Sequence, residues 1–417
     1  MTAADRGGFA ALDPCVHCGF CLQACPTFLV TGDEADGPRG RIELMRSLER
    51  GLIAPDDEGL QYHLDRCLGC RGCEPVCPSG VGYGRGLEAA RERIAAIRPV
   101  PLIARTALWL LTTPGISRIA YVAARLLRAS GIPRRLAGTS RIGFTMGMLA
   151  ATEKRDWGLG IGDSHPPEQS PIPNPQSPVL LFTGCVMDGL FSHVHAATIR
   201  TLRVNGCGTT VPAGQVCCGA LHAHAGLVEE ARELARRNIE AFGDGNEAIV
   251  VNSAGCGALL KDYGHLIPDD PRAARFAARV KDVTEVLADA GPVPATHPRL
   301  TVAYDPPCHL IHAQRVSDAP LKVLRQISGV KVILARDAEN CCGSAGMYTV
   351  TEPGLSRDVF AIKVDALLET SPDLVVTGNP GCIMQIGAGL AARRAPTPVR
   401  HPVEVLDDAY AFSGRYG

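Results

Sequence analysis

A chain of 417 residues is long enough for two or three domains, each with its own buried core. Its formal net charge of -1 argues against the broad basic surface that nucleic-acid binding requires. The chain has 17 cysteines, and an odd number fits a disulfide framework poorly, so metal ligation is the better expectation. The N-terminus has no basic and apolar leader, so we expect a cytoplasmic protein.

The strongest pattern lies in the first eighty residues and occurs twice. Both copies fit C-x2-C-x2-C-x3-C-P, in which the fourth cysteine reaches the cluster that the other copy holds. We therefore predict two [4Fe-4S] clusters with crossed ligand sets: Cys15, Cys18, Cys21 and Cys77 for cluster 1, and Cys25, Cys67, Cys70 and Cys73 for cluster 2. Structural zinc is the alternative, but zinc usually takes two separated CxxC pairs.

The residues around these motifs predict a helical domain. The segments RIELMRSLERG (41–51) and GLEAARERIAAIR (86–98) have helical periodicity and end at Gly51 and before Pro99. We assign residues 1–98 to a helical two-cluster ferredoxin domain. The long insertion between the motifs suits the helical ferredoxins of respiratory dehydrogenases.

Residues 99–164 are predicted to be a helical connector, followed by a Pro-rich linker at 165–178. An apolar region from Leu102 to Leu127 is interrupted by Arg105, Pro114 and Arg118, so no transmembrane segment is expected. We expect ordinary packing helices here. The alternative is an amphipathic cationic surface that rests on a membrane or on a membrane-facing partner, which would place the protein at the inner face of the membrane.

A different pattern begins at residue 179. Short apolar runs alternate with helical segments, which predicts an α/β fold with mostly parallel sheets: VLLFTG, AIVVNS, LTVAYD, KVILA and DLVVTG. A pattern of Cys, Cys-Cys-Gly and Cys recurs after about 125 residues, which indicates a tandem duplication. The fold class is therefore α + α/β, with repeats at 179–296 and 297–417.

Each repeat offers four thiols as a candidate metal site. They are Cys185, Cys217, Cys218 and Cys256 in the first repeat, and Cys308, Cys341, Cys342 and Cys382 in the second. The first and last thiol of each set follow predicted strands, at the sheet edge where α/β folds bind ligands. An iron-sulfur centre, zinc and an unmetallated redox or structural site all stay open.

Several histidines lie near these thiols in the sequence and are candidates for completing a metal site or relaying protons: His193, His195, His222, His224, His309 and His312. Cys207 has no counterpart in the second repeat. We expect it to be a small buried apolar residue.

The repeated cysteine pattern resembles the CCG domain of heterodisulfide reductase subunits and of several flavin-linked dehydrogenases. With the two ferredoxin motifs, the stretch GPRGRIELMR (37–46) and the endings SAGC (253–256) and NPGC (379–382), nearly the whole chain resembles the iron-sulfur subunit of glycolate oxidase, also called glycolate dehydrogenase. The fullest CCG pattern ends in CxxC, whereas Leu259 and Gln385 stand at the last position here. This departure puts the unusual non-cubane cluster of the heterodisulfide reductases in doubt.

The resemblance implies an electron-transfer subunit. A separate FAD-binding dehydrogenase subunit would oxidise glycolate to glyoxylate, and electrons would pass through the two clusters towards a quinone or another membrane electron acceptor. No flavin or substrate pocket is expected on this chain. The alternatives are lactate or glycerol 3-phosphate as donor, or disulfide reduction like that of heterodisulfide reductase, with Cys217, Cys218, Cys341 and Cys342 near the chemistry.

Overall fold

The computed structural model describes residues 7–113, 115–153 and 178–416. The predicted linker at 165–178 therefore lies almost wholly outside the described residues. Four helices form the N-terminal part: α1 (Pro26–Thr31), α2 (Pro38–Glu49), α3 (Glu58–Asp65) and α4 (Tyr83–Ala95). The two helices predicted at 41–51 and 86–98 correspond to α2 and α4, and both begin a few residues earlier than predicted.

The core of this part is built from the apolar faces of α2, α3 and α4. Ile42 and Met45 of α2 pack with Leu60 of α3 and Leu87 of α4 in one buried cluster. Their spacing of three or four residues along each helix is what places them on one face. The helical prediction for this domain is confirmed.

The described residues of the connector, 99–113 and 115–153, form four helices: α5 (Leu102–Thr112), α6 (Ile116–Ala129), α7 (Ile132–Leu136) and α8 (Arg141–Ala150). Its inner side packs on both repeats, because Tyr121 covers Gly189 and Gly147 lies against Ala388. Its outer side is not packed, and Ile119 is 72% exposed. Helices α5 and α6 therefore pack through one side only, through residues such as Ala104, Leu108 and Tyr121, which are buried. No helix among the described residues has the length and hydropathy needed to cross a membrane.

Two four-stranded parallel sheets follow, one in each repeat. The first has the order β2-β1-β3-β4 and the second β6-β5-β7-β8. The strands are β1 (Val179–Phe182), β2 (Thr209–Thr210), β3 (Ala248–Val251), β4 (Val280–Asp282), β5 (Ala295–Tyr304), β6 (Ile327–Leu334), β7 (Leu374–Val376) and β8 (Val399–Arg400). The identical order confirms the predicted fold class and agrees with a duplication.

The strands that the sequence missed are β2, β4 and β8, each with only two or three residues. Their sequences, TT, VKD and VR, contain no apolar run, whereas the equally short β7 is the apolar LVV. The proposed domain limits stay predictions, and β5 begins just before the limit between 296 and 297.

Helices connect the strands on both faces of the sheets. In the first repeat they are α9 (Val186–Leu190), α10 (Ser192–Val204), α11 (Ala220–His224), α12 (Val228–Phe242), α13 (Ala254–Leu260), α14 (Tyr263–Leu266), α15 (Pro271–Arg279) and α16 (Val283–Ala290). In the second they are α17 (Asp318–Arg325), α18 (Tyr348–Thr351), α19 (Pro353–Glu369), α20 (Pro380–Ala392) and α21 (Pro402–Phe412). A single turn of π-helix at His309–Ala313 follows β5.

The repeats share a core and meet through polar contacts. Val250 of the first sheet and Val302 of the second belong to one buried apolar cluster. Arg200 on α10 donates a hydrogen bond of 2.9 Å from Nε to Oδ1 of Asp407 on α21. The backbone N–H of Ala254 donates to the carbonyl of Gly378 at 3.1 Å. The ends of β3 and β7 are thereby brought face to face.

Candidate metal centres

The first group of motif cysteines lies around one small cavity near the N-terminus. Cys15, Cys18 and Cys21 line it together with Cys77 from the second motif. Cys77 is far away in sequence, and the fold brings it here because the second motif packs against the first. Cys73 also reaches the wall of this cavity, so the two groups adjoin.

The second group is more deeply placed. Cys25, Cys67 and Cys73 are all buried. Burial raises the pKa of the Cys70 and Cys73 thiols, and the neighbouring Cys25 thiolate raises both further. Cys25 of the first motif therefore stands with the cysteines of the second. It precedes Pro26, the first residue of α1, whose fixed φ begins the helix there.

The two motif loops repeat the same unusual backbone. His17 (φ 54°) and Gly69 (φ 64°), each two residues after the first cysteine of its motif, are left-handed. The residues after the second cysteines, Gly19 (φ 86°) and Arg71 (φ 61°), are left-handed as well. Left-handed residues let successive backbone N–H groups face one concave site, as in anion-binding loops. At His17 and Arg71 a side chain is held in a conformation that usually costs free energy, which is typical of functional loops.

Arg41 is a functional candidate that the motif spacing did not reveal. Its side chain is 1% exposed, and it donates hydrogen bonds to the carbonyl of His63 at 2.7 Å and to Oγ1 of Thr27 at 3.0 Å. Burial alone would lower the pKa of the guanidinium, but the Cys67 and Cys25 thiolates and Asp36 raise it above its ordinary value. A permanent positive charge is therefore fixed beside the second group of cysteines.

The sequence around Arg41 explains how this charge is positioned. At Gly40 a Cβ atom would lie 2.4 Å from the carbonyl oxygen of Glu34. Glycine is therefore required for α2 to approach the preceding turn, which carries Asp36. Asp36 in turn accepts a hydrogen bond from Arg41 at 3.4 Å and pairs with Arg66 at 3.1 Å. The stretch GPRGR thus encodes a buried ion-pair cluster.

Cys67 is set up to be ionised. Burial would raise its pKa, but the guanidinium groups of Arg41 and Arg91 lower it below the usual value. The Tyr83 hydroxyl lies 3.4 Å from the Cys67 Sγ, and the backbone N–H of Gly69 donates to the same sulfur at 3.4 Å. A thiolate at this position suits a metal ligand.

The thiols of the repeats lie where the strands end. Cys185 follows β1, and Cys308 follows the equivalent strand β5. Cys256 and Cys382 lie in the first turns of α13 and α20, which follow β3 and β7. The prediction that these four thiols sit beyond strand C-termini is confirmed.

The thiols are arranged in close pairs. The Sγ atoms of Cys185 and Cys217 are 3.5 Å apart. Those of Cys308 and Cys341 are 3.8 Å apart, and those of Cys342 and Cys382 are 3.2 Å apart. All are free thiols, since a disulfide would hold the sulfurs at about 2.05 Å. Paired thiols at these distances can share a metal or take part in thiol chemistry.

Backbone conformation and close packing explain why a glycine follows each cysteine pair. Gly219 has φ 91° and Gly343 has φ 79°, both left-handed. A Cβ at Gly343 would lie 2.7 Å from the carbonyl oxygen of Ser356 on α19, and one at Gly219 would lie 3.2 Å from the Cα of Ala231 on α12. Glycine therefore lets each cysteine pair sit against a helix.

All eight repeat thiols line one cavity of about 670 Å³ between the repeats. The SAGC and NPGC endings meet at its floor, because the side-chain Oδ1 of Asn379 accepts a hydrogen bond from the N–H of Gly255 at 3.1 Å. Apolar side chains of the connector, including Ile103, Leu111 and Tyr121, form part of its wall. Residues from three separate regions create this cavity, and the expectation that the chain has no flavin or substrate pocket stays a prediction.

The second motif reaches this cavity directly. Cys67 and Leu68 are part of its wall, and Cys70 packs against a buried cluster that includes Cys308 and Cys341. The hydroxyl of Tyr348 donates to the carbonyl of Arg66 at 2.8 Å, which fixes the loop against the second repeat. The second motif and the thiols of the second repeat thus share one packed cluster.

The N-terminal domain is also attached to the first repeat. Arg85 forms two hydrogen bonds to the carboxylate of Asp262, one of them at 2.6 Å. Arg91 donates to the carbonyl oxygens of Cys67 at 2.8 Å and of His224 at 3.2 Å. These two arginines of α4 hold the second motif over the cavity.

The candidate histidines separate into two groups. His224 and His309 line the cavity, with ring centroids 5.5 Å apart. Burial, followed by the charge of His309, lowers the pKa of His224 to about 3, so it is neutral at physiological pH. The remaining four lie outside the cavity lining: His193, His195, His222 and His312.

His195 illustrates the structural role of the outer group. Its Nε2 lies 3.0 Å from the carbonyl of Thr183, and its Nδ1 lies 3.1 Å from the side-chain nitrogen of Asn252. Burial lowers its pKa to about 4. Cys207 is 4% exposed and packs in the core away from the cavity, as predicted.

The donor chemistry of the N-terminal groups fits [4Fe-4S] clusters. Each group offers four thiols, with left-handed loop residues turning backbone amides towards them. The second group has in addition the buried Arg41, which offsets negative charge on the thiolates. The four thiols of each repeat do not select one kind of centre, because their pairs would suit a metal ion or free thiol chemistry equally.

Two protein families match the chain. Residues 11–81 match the family described as "4Fe-4S dicluster domain". Residues 179–261 and 302–387 each match the family described as "Cysteine-rich domain". The first match indicates two iron-sulfur clusters in the N-terminal part.

Similar proteins span almost the whole chain. The "Probable glycolate oxidase iron-sulfur subunit" of Bacillus subtilis is 36% identical over 95% of this chain and 93% of its own length. The "Glycolate oxidase iron-sulfur subunit" of Escherichia coli is 34% identical over 95% of this chain and 94% of its own. The "Lactate utilization protein A" of Geobacillus kaustophilus is 32% identical over 55% of this chain and 98% of its own.

Proposed function

The chain belongs to the family of glycolate oxidase iron-sulfur subunits, and from this premise we propose that it carries electrons from a flavoprotein subunit that oxidises glycolate towards a quinone. Oxidation of glycolate to glyoxylate releases two electrons and two protons. Reduction of a quinone to a quinol takes up two electrons and two protons, so the reaction balances. The FAD and the glycolate site belong, in this proposal, to the partner subunit, and the complex lies at the inner face of the membrane.

The observation that carries the proposal is the unbroken run of thiols from the N-terminal domain to the cavity. Cys73 lies at the wall of the first site, and Cys70 packs against the buried cluster that contains Cys308 of the second repeat. Electron transfer between proteins and cofactors requires such short separations. The run has one end near the surface, where Cys18 is exposed, and the other at the cavity.

We propose the crossed ligand sets for two clusters: Cys15, Cys18, Cys21 and Cys77 for the first, and Cys25, Cys67, Cys70 and Cys73 for the second. Bound [4Fe-4S] clusters supply one-electron carriers. The protein's part is to hold the thiolates, to exclude water from the second site and to fix a positive charge there through Arg41. A nearby buried cation favours the more negative, reduced state.

The cavity between the repeats is the proposed exit for electrons. Its wall combines apolar side chains, which suit the ring and tail of a quinone, with thiols in contact with the second motif. Whether its thiols hold a further metal centre is a separate question. The quinone proposal needs only that the cavity lies beside Cys67.

The test is to purify the chain anaerobically with its partner subunits and record EPR spectra before and after adding glycolate, without a quinone. We expect signals of reduced clusters to appear with glycolate and to disappear when a quinone analogue is added. Lactate and glycerol 3-phosphate are tested in parallel. Reduction by lactate with no reduction by glycolate would overturn the substrate assignment, and no reduction by any donor would overturn the electron-transfer role.

A second candidate is disulfide reduction at the repeats, favoured by the thiol pairs at the cavity wall. Reduction of a disulfide to two thiols takes two electrons and two protons, which the clusters and solvent would supply. Purified chain with an artificial electron donor would then turn over a small disulfide. The electron-transfer proposal predicts no turnover in this assay.

A further inference from the structure

The outer side of the connector exposes an unusual number of large apolar side chains. Leu102 is 80% exposed, Ile119 72% and Leu126 67%. The other exposed apolar residues of α5 and α6 are Ile103, Trp109, Leu110, Val122 and Leu127. Scattered apolar residues are ordinary on a protein surface, but a continuous set on two adjacent helices marks an interaction surface. We call the outer side of α5, α6 and α7 the connector face.

The charge of this region is one-sided. Residues 99–152 contain seven arginines and no aspartate, glutamate or lysine, in a chain whose net charge is -1. One of the seven, Arg128, is used inside the fold, where it donates to the carbonyls of Thr152 at 2.8 Å and Leu190 at 3.1 Å. The other six form no ion pair with an acidic residue among the described part of the chain: Arg105, Arg118, Arg125, Arg134, Arg135 and Arg141.

Helix α6 shows how apolar and basic groups are arranged. Ile119, Val122 and Leu126 are spaced by three and four residues and therefore lie on one exposed face. Arg118 and Arg125 are seven residues, or about two turns, apart and lie along one edge of that face. The opposite side of the helix is anchored, because Tyr121 is buried. An apolar stripe bordered by arginines is the pattern of helices that lie in the plane of a membrane surface.

We propose that the connector face docks this protein onto a bilayer rich in anionic lipid. The arginines would meet lipid phosphates, the apolar side chains would enter the boundary of the acyl chains, and Trp109 would lie at the interface. Charge complementarity selects this occupant, because the six remaining arginines of a stretch without an acidic group match a uniformly negative surface. The face rests on the membrane and does not cross it, in agreement with the hydropathy of the helices.

This docking would place the cavity near the lipid. Ile103, Leu111 and Tyr121, from the same two helices, form part of the cavity wall. A lipid-soluble electron acceptor would therefore have a short path from the bilayer to the thiols. The link to a quinone rests on the proposed function, whereas the docking itself does not.

The experiment uses full-length protein, purified anaerobically with its clusters, and sedimentation with vesicles of phosphatidylglycerol or of phosphatidylcholine. We expect binding to phosphatidylglycerol vesicles that is at least about tenfold tighter than to phosphatidylcholine and that weakens with salt. The variant I119E/L126E should lose about tenfold or more of this binding, because two charges then enter the apolar stripe. A Trp157→Phe background leaves Trp109 as the remaining tryptophan, and its emission should shift to shorter wavelength on binding.

The matched control is L52E/F412E, which adds two charges at exposed apolar residues away from the connector. It should bind vesicles like the parent protein. Both variants should keep their iron and, when purified with the partner subunits, their glycolate-dependent reduction of a soluble dye, so loss of vesicle binding is not loss of folding or of the electron-transfer role. Equal binding of I119E/L126E and the parent would overturn the proposal. So would loss of the flavoprotein partner from I119E/L126E with vesicle binding unchanged, because the face would then be a protein interface.

Discussion

The N-terminal domain and the repeats assemble their thiols in different ways. The first motif draws four cysteines from residues 15–25, and one loop with left-handed residues already arranges three of them. The first repeat draws its four from residues 185–256, and only the parallel order of its strands brings them to one edge. A motif that is local in sequence fixes the kind of centre it binds, whereas a site built by topology fixes a place and leaves the occupant open.

The crossed ligand set makes even the local motifs depend on tertiary structure, because each proposed cluster takes one cysteine from the other motif. Cys77→Ser should remove the cluster of the first motif, so iron should fall from about eight to about four per chain. Iron analysis with EPR of the remaining cluster checks this. Cys207→Ser, a buried cysteine outside both sites, is the control and should keep its iron. Damage limited to the second motif would contradict the crossed assignment.

Arg41 tests whether the second cluster site is tuned by a buried charge. Arg41→Gln removes a cation beside Cys25 and Cys67. For two unit charges separated by about 7 Å at an effective dielectric constant of about 20, Coulomb's law gives an attraction on the order of 2 kcal/mol, or about 100 mV for one electron, and we take this as the expected size of the effect. The midpoint potential of the second cluster should fall by that order in a redox titration. Arg98→Gln, at a more exposed ion pair with Asp65, should leave both potentials unchanged.

The thiols of the repeats can be tested apart from those of the motifs. The double variant Cys218→Ser and Cys342→Ser removes one thiol from each Cys-Cys-Gly site. We expect about eight irons to remain and the rate of quinone reduction to fall about tenfold, while reduction of a soluble dye continues. A fall in iron would show that the repeat thiols also hold iron. An unchanged quinone rate would contradict the proposed exit through the cavity.

The contact between the two regions should respond to pH. Glu88 of α4 lies near Asp262 of the first repeat, and burial followed by the charge of Asp262 raises its pKa to about 7. The pKa of Glu88 is higher in the folded protein than in the unfolded chain. The protonated carboxyl therefore contributes its full stabilisation below about pH 4.5, and this contribution is lost as the pH rises through about 7. Glu88→Gln should therefore raise the free energy of unfolding at pH 8 by on the order of 1 kcal/mol, measured by denaturant titration. No gain at pH 8 would contradict this account of the interface.

Much of the fold could be predicted because its signals are local. The strands β1, β3, β5 and β7 are apolar runs followed by cysteines, and the duplication appears in the cysteine spacing. The strands β2, β4 and β8 could not be found, because their sequences TT, VKD and VR contain no apolar run, unlike the equally short β7. These three segments become strands only because tertiary structure places them beside a neighbouring strand.

The sequence predicted the cysteine ligands of the site but not the residues that surround them. The cysteines were evident from spacing, but the role of Arg41 depends on Gly40, which lets α2 approach the turn before it. The cavity needs Cys67, Ile103 and Cys256 from three regions at once, and no local pattern encodes that meeting. The sequence periodicity of α6 marks two faces but does not say which one the rest of the fold covers.

The measurement that tests the central claim most directly is the iron and acid-labile sulfide content of anaerobically purified full-length protein. Two [4Fe-4S] clusters in the first eighty residues predict about eight irons and about eight sulfides per chain. Zinc in their place, with no labile sulfide, would contradict the account.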